Sequence, residues 1–220
     1  MFWFYAERIL GYWPVLLKGL GMTLGLSLLS LLIGAAVGFA FGIIRAGGNR
    51  WLSRALGLYI DLFRGTPFLV QVFIVFFILP AAGIELSAFA AGVVALSNLA
   101  ACFIGEIVAA GLKAVPQGQR EAALASGMTP AQQMRLVLMP QAVRIVTPSL
   151  VGQFVLLIKD SSVVSAIGLL DLTRSGWMIV QSVPQGLMVF GTVGLGYFII
   201  CYPLILLSRR LERRGQDALL

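Results

Sequence analysis

Two adjacent ionisable residues, Lys159 and Asp160, interrupt the otherwise uncharged run 145–170. If that run lies in lipid, each charge costs about 3 kcal/mol or more, so it normally faces the protein interior or a water-filled path. With Ser161 beside them, these side chains could bind or admit a polar solute. The alternative is that they neutralise each other or pair with another segment, although neighbouring helix residues point about 100° apart.

Other polar residues stand in or beside apolar runs. Arg64 could meet a carboxylate, but an arginine at the end of such a run more often extends to lipid phosphate. Thr66 precedes Pro67, which can loosen a helix. Asn98 faces either the same path or a hydrogen-bond partner on a neighbouring helix. Glu106 falls near the end of its run, where we expect a structural ion pair. Arg64, Thr66 and Asn98 join Lys159, Asp160 and Ser161 as candidate substrate-path residues.

The chain lacks the residues that most membrane enzymes need. It contains no histidine, which is the commonest general base and metal ligand. Its two cysteines, Cys102 and Cys201, lie inside apolar runs without nearby metal-ligand partners. We therefore expect both cysteines to act as small buried hydrophobic residues. It also lacks a G-x-x-x-x-G-K-[ST] phosphate loop. We therefore expect no catalytic residue, no metal site and no bound cofactor.

The composition predicts that lipid surrounds most of the chain. Of its 220 residues, 59% are hydrophobic and 11% are charged, whereas soluble domains are usually about a quarter charged. The net charge of +7 does not indicate nucleic-acid binding, because the basic residues lie in short segments between apolar runs. We predict an all-α membrane protein with residues 1–220 as one domain and five spans, at about 16–44, 62–82, 86–110, 145–168 and 186–208.

The distribution of lysine and arginine predicts the orientation. Basic residues follow spans one, three and five: Arg45, Arg50, Arg54 and Arg64; Lys113, Arg120, Arg135 and Arg144; Arg209, Arg210, Arg213 and Arg214. The other side offers only Arg8, Lys18 and Arg174. By the positive-inside rule, the C-terminus is cytoplasmic and the N-terminus lies outside.

Span one carries glycines at four-residue spacing, namely Gly34, Gly38 and Gly42, with Gly21 and Gly25 at the same spacing earlier in the span. Small residues at this spacing let two helices approach closely in lipid. The partner helix could belong to another subunit or to the same chain.

The longest segment between spans, 113–143, has the pattern of two helices joined by a tight turn. Residues 119–126 are good helix formers, and Gly127 tolerates left-handed geometry at a helix end. Thr129 and Gln132 have capping-box spacing, and Pro140 is expected to stop the second helix before span four. A helix coated with small residues either fits a groove on another protein or belongs to a hairpin on the membrane surface.

The same segment resembles the EAA loop of ABC importer permeases, with Glu121-Ala122-Ala123, Gly127, Val137, Met139 and Pro140 at the family spacing. Segments 63–71, 118–119, 140–142 and 159–162 are similar to the polar amino-acid uptake group of that family. Two residues depart from the group: Phe103 stands where it usually has Tyr, and Ala109 where it usually has Arg.

The resemblance implies a type I ABC importer permease in the bacterial inner membrane. Two permease subunits, identical or different, would pair around a path for an amino acid that an extracytoplasmic binding protein delivers. Cytoplasmic ATPase subunits would form a dimer that binds ATP and Mg²⁺, so the chain itself would not be an enzyme. The implied coupling residues are Gly118, Gln119, Glu121, Ala122, Ala123, Gly127 and Pro140.

Three alternatives differ in substrate or class. An ABC permease could carry an opine or another small zwitterion. A secondary transporter or channel would need no ATPase, but the loop spacing and five spans without an inverted repeat disfavour it. An integral-membrane enzyme is disfavoured by the missing histidine and by the lack of a carboxylate cluster in the spans.

Overall fold

A computed structural model describes residues 2–47 and 49–217; the side chains of 2–4, 6 and 214–217, including Arg214, lie outside the described part. The described residues form helices and no strand. The helices are α1 (Phe2–Leu10), α2 (Trp13–Ala46), α3 (Arg50–Gly65), α4 (Phe68–Ala82), α5 (Ala88–Ala114), α6 (Gln117–Ala125), α7 (Pro130–Ile167), α8 (Leu172–Ser182) and α9 (Gly186–Asp217).

Four of these helices, α2, α5, α7 and α9, are long and apolar enough to cross a membrane, and α3 with α4 makes a fifth crossing if the bent pair counts as one span. The predicted all-α membrane fold is thereby confirmed. Four of the five predicted spans fall within two residues of a single helix. The membrane boundaries and the orientation of the termini stay predictions.

Helix α5 is the centre of the bundle. Within its most apolar stretch 61% of residues are buried, against 17% for α9. Its main neighbour is α2, which presents three glycines to it. A Cβ added at Gly34 would lie 2.5 Å from the Ala100 Cβ, and one at Gly42 would lie 2.5 Å from the Val108 Cβ. These glycines therefore serve packing within the chain, whereas Gly21 has no atom within 4 Å of an added Cβ.

The second predicted span, 62–82, contains a sharp bend near the proline that was expected to loosen it. Helix α3 ends at Gly65, and α4 begins at Phe68 at an angle of 102° to it. Pro67 has no N–H to continue the ladder of α3. Gln71 then holds the bend, because its Nε2 donates to the carbonyl oxygens of Phe63 at 2.7 Å and Thr66 at 3.2 Å.

The expectation that Pro140 ends a helix is wrong. Helix α7 runs from Pro130 through Pro140 to Ile167. Wide π turns at Gln133–Leu138 precede the proline, with the Met139 N–H bonded to the Met134 carbonyl. The α-helical segment that follows starts at Met139, so Pro140 stands in a first turn, where its missing N–H is tolerated.

The short helix α8, which the sequence analysis did not predict, is held by a buried polar cluster. The Asp171 carboxylate is fully buried and accepts a hydrogen bond from the Arg174 N–H at 2.8 Å, which caps α8. Tyr197 of α9 donates to the other Asp171 oxygen at 3.4 Å. The Leu172 N–H donates to Thr23 Oγ1 of α2 at 3.1 Å. The cluster therefore joins α8 to both long helices.

The glycine contact between α2 and α5 predicts opposite effects of the same substitution at two sites. Gly38→Ala should lower stability by about 1–3 kcal/mol, because the new Cβ would lie 2.8 Å from the Ile104 Cβ. Gly21→Ala, in open space on the same helix, should be neutral or stabilising by up to about 1 kcal/mol through helix propensity. Thermal unfolding in detergent measures both; equal shifts would contradict this packing.

Asp171 predicts a pH dependence. Burial raises the pKa of its carboxyl from 3.8 to about 6, although the hydrogen bond from the Arg174 N–H opposes the shift. The folded state then holds the proton more tightly than the unfolded state, so this stability is fully present below pH 3.8 and is lost as pH rises through about 6. The amount is about 3 kcal/mol at most.

Asp171→Asn keeps a capping oxygen and removes the titration. Its melting temperature at neutral pH should equal or exceed that of the unsubstituted chain, and its stability should change less between pH 4 and about 6. Asp171→Ala, which loses the cap, is the control and should be less stable at both ends of that range. An unaltered pH slope in Asp171→Asn would refute the assignment.

Candidate functional site

The loop between α5 and α7 has the predicted helix–turn–helix form. Helix α6 ends in a turn in which Gly127 has φ +73°, a conformation that favours glycine. The Met128 N–H closes the turn on the Ala123 carbonyl at 3.2 Å. The predicted capping box is present, since Thr129 and Gln132 exchange side-chain to backbone hydrogen bonds. The loop is therefore a short helix tied at both ends to long helices.

The two alanines of the EAA-like motif have different surroundings. Ala123 is 4% exposed and packs inside the chain, whereas Ala122 is exposed beside Glu121. Gln117 Nε2 donates to Glu121 Oε1 at 2.8 Å, which holds the carboxylate one turn along α6. Of the three residues Glu-Ala-Ala, Glu121 and Ala122 are thus available to another molecule, while Ala123 lets α6 lie close to α7.

Of the remaining coupling residues, Gln119 and Gly118 are exposed on α6. Gln119 Oε1 accepts from Gln141 Nε2 at 3.2 Å, which fastens α6 to α7 one residue beyond Pro140. Beside α6 lies an open groove of about 540 Å³, with walls from α5, α6 and α7. Its lining residues are Leu112, Lys113, Val115, Gln117, Arg120, Glu121, Leu124 and Gln133. Helix α6 therefore keeps an open side beside Glu121.

Two of the substrate-path candidates, Arg64 and Asn98, lie where α3 crosses α5, and each contacts an aromatic residue there. The Arg64 guanidinium lies 5.0 Å from the centre of the Phe103 ring, a cation–π contact. Tyr59 donates a hydrogen bond to Asn98 Oδ1. Thr66, at the bend that follows, accepts from Gln71 Nε2 through its hydroxyl at 3.1 Å.

The expected structural ion pair lies beside this crossing and joins α2 to α5, because Arg45 Nε lies 2.8 Å from Glu106 Oε1. Arg45 Nη1 also donates to the Ser53 carbonyl at 3.1 Å, which ties the end of α2 to the start of α3. The amphipathic helix α3 is thereby fixed against α2 and α5 along its length.

The other three path candidates lie elsewhere, at the end of the α-helical part of α7. Lys159 is exposed, Asp160 is half-buried and Ser161 is fully buried, with its hydroxyl donating to the Ile158 carbonyl at 2.7 Å. Across the described residues, Lys159 and Asp160 form no ion pair within 4 Å. No hydrogen bond in that part of the chain joins them to Arg64, Thr66 or Asn98. A single chain therefore holds two separate groups of candidates.

Sequence reasoning missed two polar residues that hold helices in place, one beside Thr66 and one at the start of α8. Gln71 was quoted only as part of a family-like segment, although a lone amide within an apolar stretch signals a needed hydrogen-bond partner. Asp171, followed three residues later by Arg174 and then apolar residues, has the sequence of a helix cap. Among the described residues, no three His, Cys, Asp or Glu side chains are grouped as metal ligands would be.

Comparisons with known proteins agree with this architecture. Residues 34–215 match the family described as "Binding-protein-dependent transport system inner membrane component". The L-cystine transport system permease protein TcyB of Bacillus subtilis is 35% identical over 92% of this chain and 87% of its own length. The glutamine transport system permease protein GlnP of Escherichia coli is 36% identical over 91% of this chain and 93% of its own.

Solved structures show the same fold. A chain from a crystal structure of an amino acid ABC transporter with histidines superposes with a TM-score of 0.85 and 35% identity, over 93% of this chain and 96% of that one. A chain of the inward-facing MetNI methionine ABC transporter gives a TM-score of 0.77 and 27% identity, over 91% and 95%. On its helices, its loop and these matches, the chain belongs to the family of binding-protein-dependent transport system inner membrane components.

Proposed function

We propose that this chain is the membrane-spanning permease subunit of an ATP-binding-cassette importer for a polar amino acid. An extracytoplasmic binding protein delivers the amino acid, and a dimer of cytoplasmic ATPase subunits binds ATP and Mg²⁺. The protein resides in the bacterial inner membrane with its C-terminus in the cytoplasm. The observation that carries the proposal is helix α6, which exposes Glu121 and Ala122 beside the groove of about 540 Å³.

Coupling depends on how α6 is attached. Val115 and Pro116 alone separate it from α5, and the turn at Gly127 separates it from α7. The bond between Gln119 and Gln141 adds a side-chain link to α7. A displacement of α6 by the ATPase therefore moves the inner ends of two membrane helices together. In this proposal Glu121 meets a basic side chain of the ATPase, and Ala122 allows close approach.

The substrate path forms where two permease subunits face each other. Arg64, Thr66 and Asn98 are contributed by the crossing of α3 and α5, and Lys159, Asp160 and Ser161 by the end of the α-helical part of α7. Charged residues in a membrane bundle normally face water or partners, which supports a role along the path. The relatives transport glutamine and L-cystine, so a polar amino acid is the favoured substrate class.

The direct test of the substrate class is ATP hydrolysis by the reconstituted complex with its binding protein, measured across a panel of amino acids. We expect stimulation by one class of polar amino acid. An opine and a simple betaine serve as comparison zwitterions. Stimulation by these alone would move the substrate outside amino acids, and stimulation by none of them, with ATPase bound, would refute the proposed substrate class.

Reversing one charge in the loop tests the coupling surface. Glu121→Lys should abolish most uptake, because a lysine would repel the basic side chain proposed as its partner, while the protein stays in the membrane. Glu85→Lys, at an exposed carboxylate on the connection between α4 and α5, is the matched control and should retain uptake. Uptake and membrane abundance are measured together; normal uptake in Glu121→Lys would rule out the role assigned to Glu121.

A further inference from the structure

Helix α7 has a weak joint where it leaves the loop and enters the bundle. Its π turns at Gln133–Leu138 run directly into the turn that contains Pro140. A proline supplies no N–H to the helix ladder, and prolines and π turns are the usual places where a helix kinks. Two such features in succession make residues 133–140 the part of α7 that bends most readily. We call these residues the joint.

The two sides of the joint differ in how firmly they are held. On the membrane side, α7 packs closely on α5, because a Cβ added at Gly111 would meet Val146 Cγ1 and would lie 3.3 Å from the Ala142 carbonyl oxygen. Ala142 and Val146 are both buried. On the loop side, Ala131 is exposed and Leu136 is 61% exposed. A displacement applied at the loop would therefore be absorbed by the joint unless something stiffens it.

One side chain spans the joint. Gln141 stands on its membrane side, and its Nε2 donates to the Val137 carbonyl oxygen, inside the joint, at 3.0 Å. The same Nε2 donates to Gln119 Oε1 of α6 at 3.2 Å. An amide nitrogen carries two N–H donors, so both bonds form together. The Gln141 side chain thus supplies hydrogen bonds across a turn in which Pro140 has no N–H to donate.

The loop side is tied together well enough to move as one piece. Gln133 Nε2 donates to the Met128 carbonyl oxygen at 2.9 Å, which joins the start of α7 to the turn that follows α6. The capping box at the start of α7 adds two more bonds. Across the described residues, Gln141 alone makes side-chain hydrogen bonds from this piece to α7 beyond Pro140.

We propose that Gln141 is a positioning residue for coupling, which carries a displacement of α6 across the joint into the membrane part of α7. With both bonds in place, the joint is stiff, and α6 moves together with α7 and with α5 at Gly111. Without them, the joint bends and the displacement is lost in the loop. The proposal rests on the proposed function, because an ATPase must displace α6. It assigns transmission to a residue outside the Glu-Ala-Ala motif.

Uptake per ATP hydrolysed by the reconstituted complex measures this transmission. Gln141→Met keeps the length of the side chain and removes both donors, so the ratio should fall about fivefold or more. Membrane abundance and co-purification of the ATPase should stay unchanged. Gln181→Met, at an exposed glutamine of α8, is the matched control and should keep the ratio. An unaltered ratio in Gln141→Met, or hydrolysis and uptake that fall in proportion, would overturn the proposal.

A charge pair tests whether the link to α6 is the one that matters. Gln141→Glu should lower the same ratio, because a carboxylate has no donor for either bond. Adding Gln119→Lys should restore much of the ratio, since an ion pair re-forms the link between the two helices. Adding Gln119→Met instead should restore nothing. Equal ratios in the two double variants would assign the effect to the Val137 bond and overturn transmission from α6.

Distances between spin labels give a readout that needs no ATPase. With Cys102 and Cys201 replaced by serine, labels at Ala131→Cys and Ser149→Cys lie on the two sides of the joint, about 27 Å apart along the helix. Gln141→Met should broaden the distribution of this distance, because the joint then bends more freely. The control variant of α8 should leave the distribution as it is.

The label distances separate this proposal from the proposed function. Failure of the unsubstituted chain to co-purify with an ATPase would overturn the proposed function, while a broadened distribution in Gln141→Met would still show that this side chain stiffens the joint. Normal co-purification with no broadening would overturn the role of Gln141 and keep the importer.

Discussion

Close approach of α2 and α5 is the contact on which the rest of the bundle depends. Lipid gives two apolar helices no hydrophobic reason to associate, so their attraction comes from dispersion contacts that require short distances. Gly34, Gly38 and Gly42 supply those distances by omitting a side chain where Ala100, Ile104 and Val108 approach. With α5 buried in this way, its remaining faces are free to receive α3, α4 and α7.

Polar groups inside this bundle are used to fix helices that the glycines do not hold. Arg45 of α2 pairs with Glu106 of α5 and donates to the Ser53 carbonyl at the start of α3. The bond from Tyr59 to Asn98 fastens α3 to α5, and Gln71 sets the bend into α4. Asp171 does the same for α8. Each bond is stronger in low dielectric than in water, and each would be costly to leave unpaired. Among the described residues, Lys159 and Asp160 form no ion pair, so their charges face water or another chain.

In the proposed function, the loop is the place where an ATPase subunit would act on this bundle. Helix α6 has few contacts of its own, yet it is joined to α5 by two residues and to α7 by a tight turn. Ala123 on the inner face of α6 is buried, whereas Glu121 and Ala122 remain exposed. A force on the exposed side would therefore be carried into two long helices.

The sequence alone determined those features that depend on near neighbours along the chain. Long apolar runs predicted the helices of the membrane fold, and Thr129 with Gln132 predicted a cap, because helix length and capping are local properties. The tertiary structure decided that Gly38 packs within the chain and that Pro140 continues a helix rather than ending it. It also decided that Ala122 is exposed while Ala123 is buried. It also decided the bend after Gly65 and the surroundings of Asp171. These outcomes depend on which surfaces meet across distant segments, and residue type and spacing do not specify that.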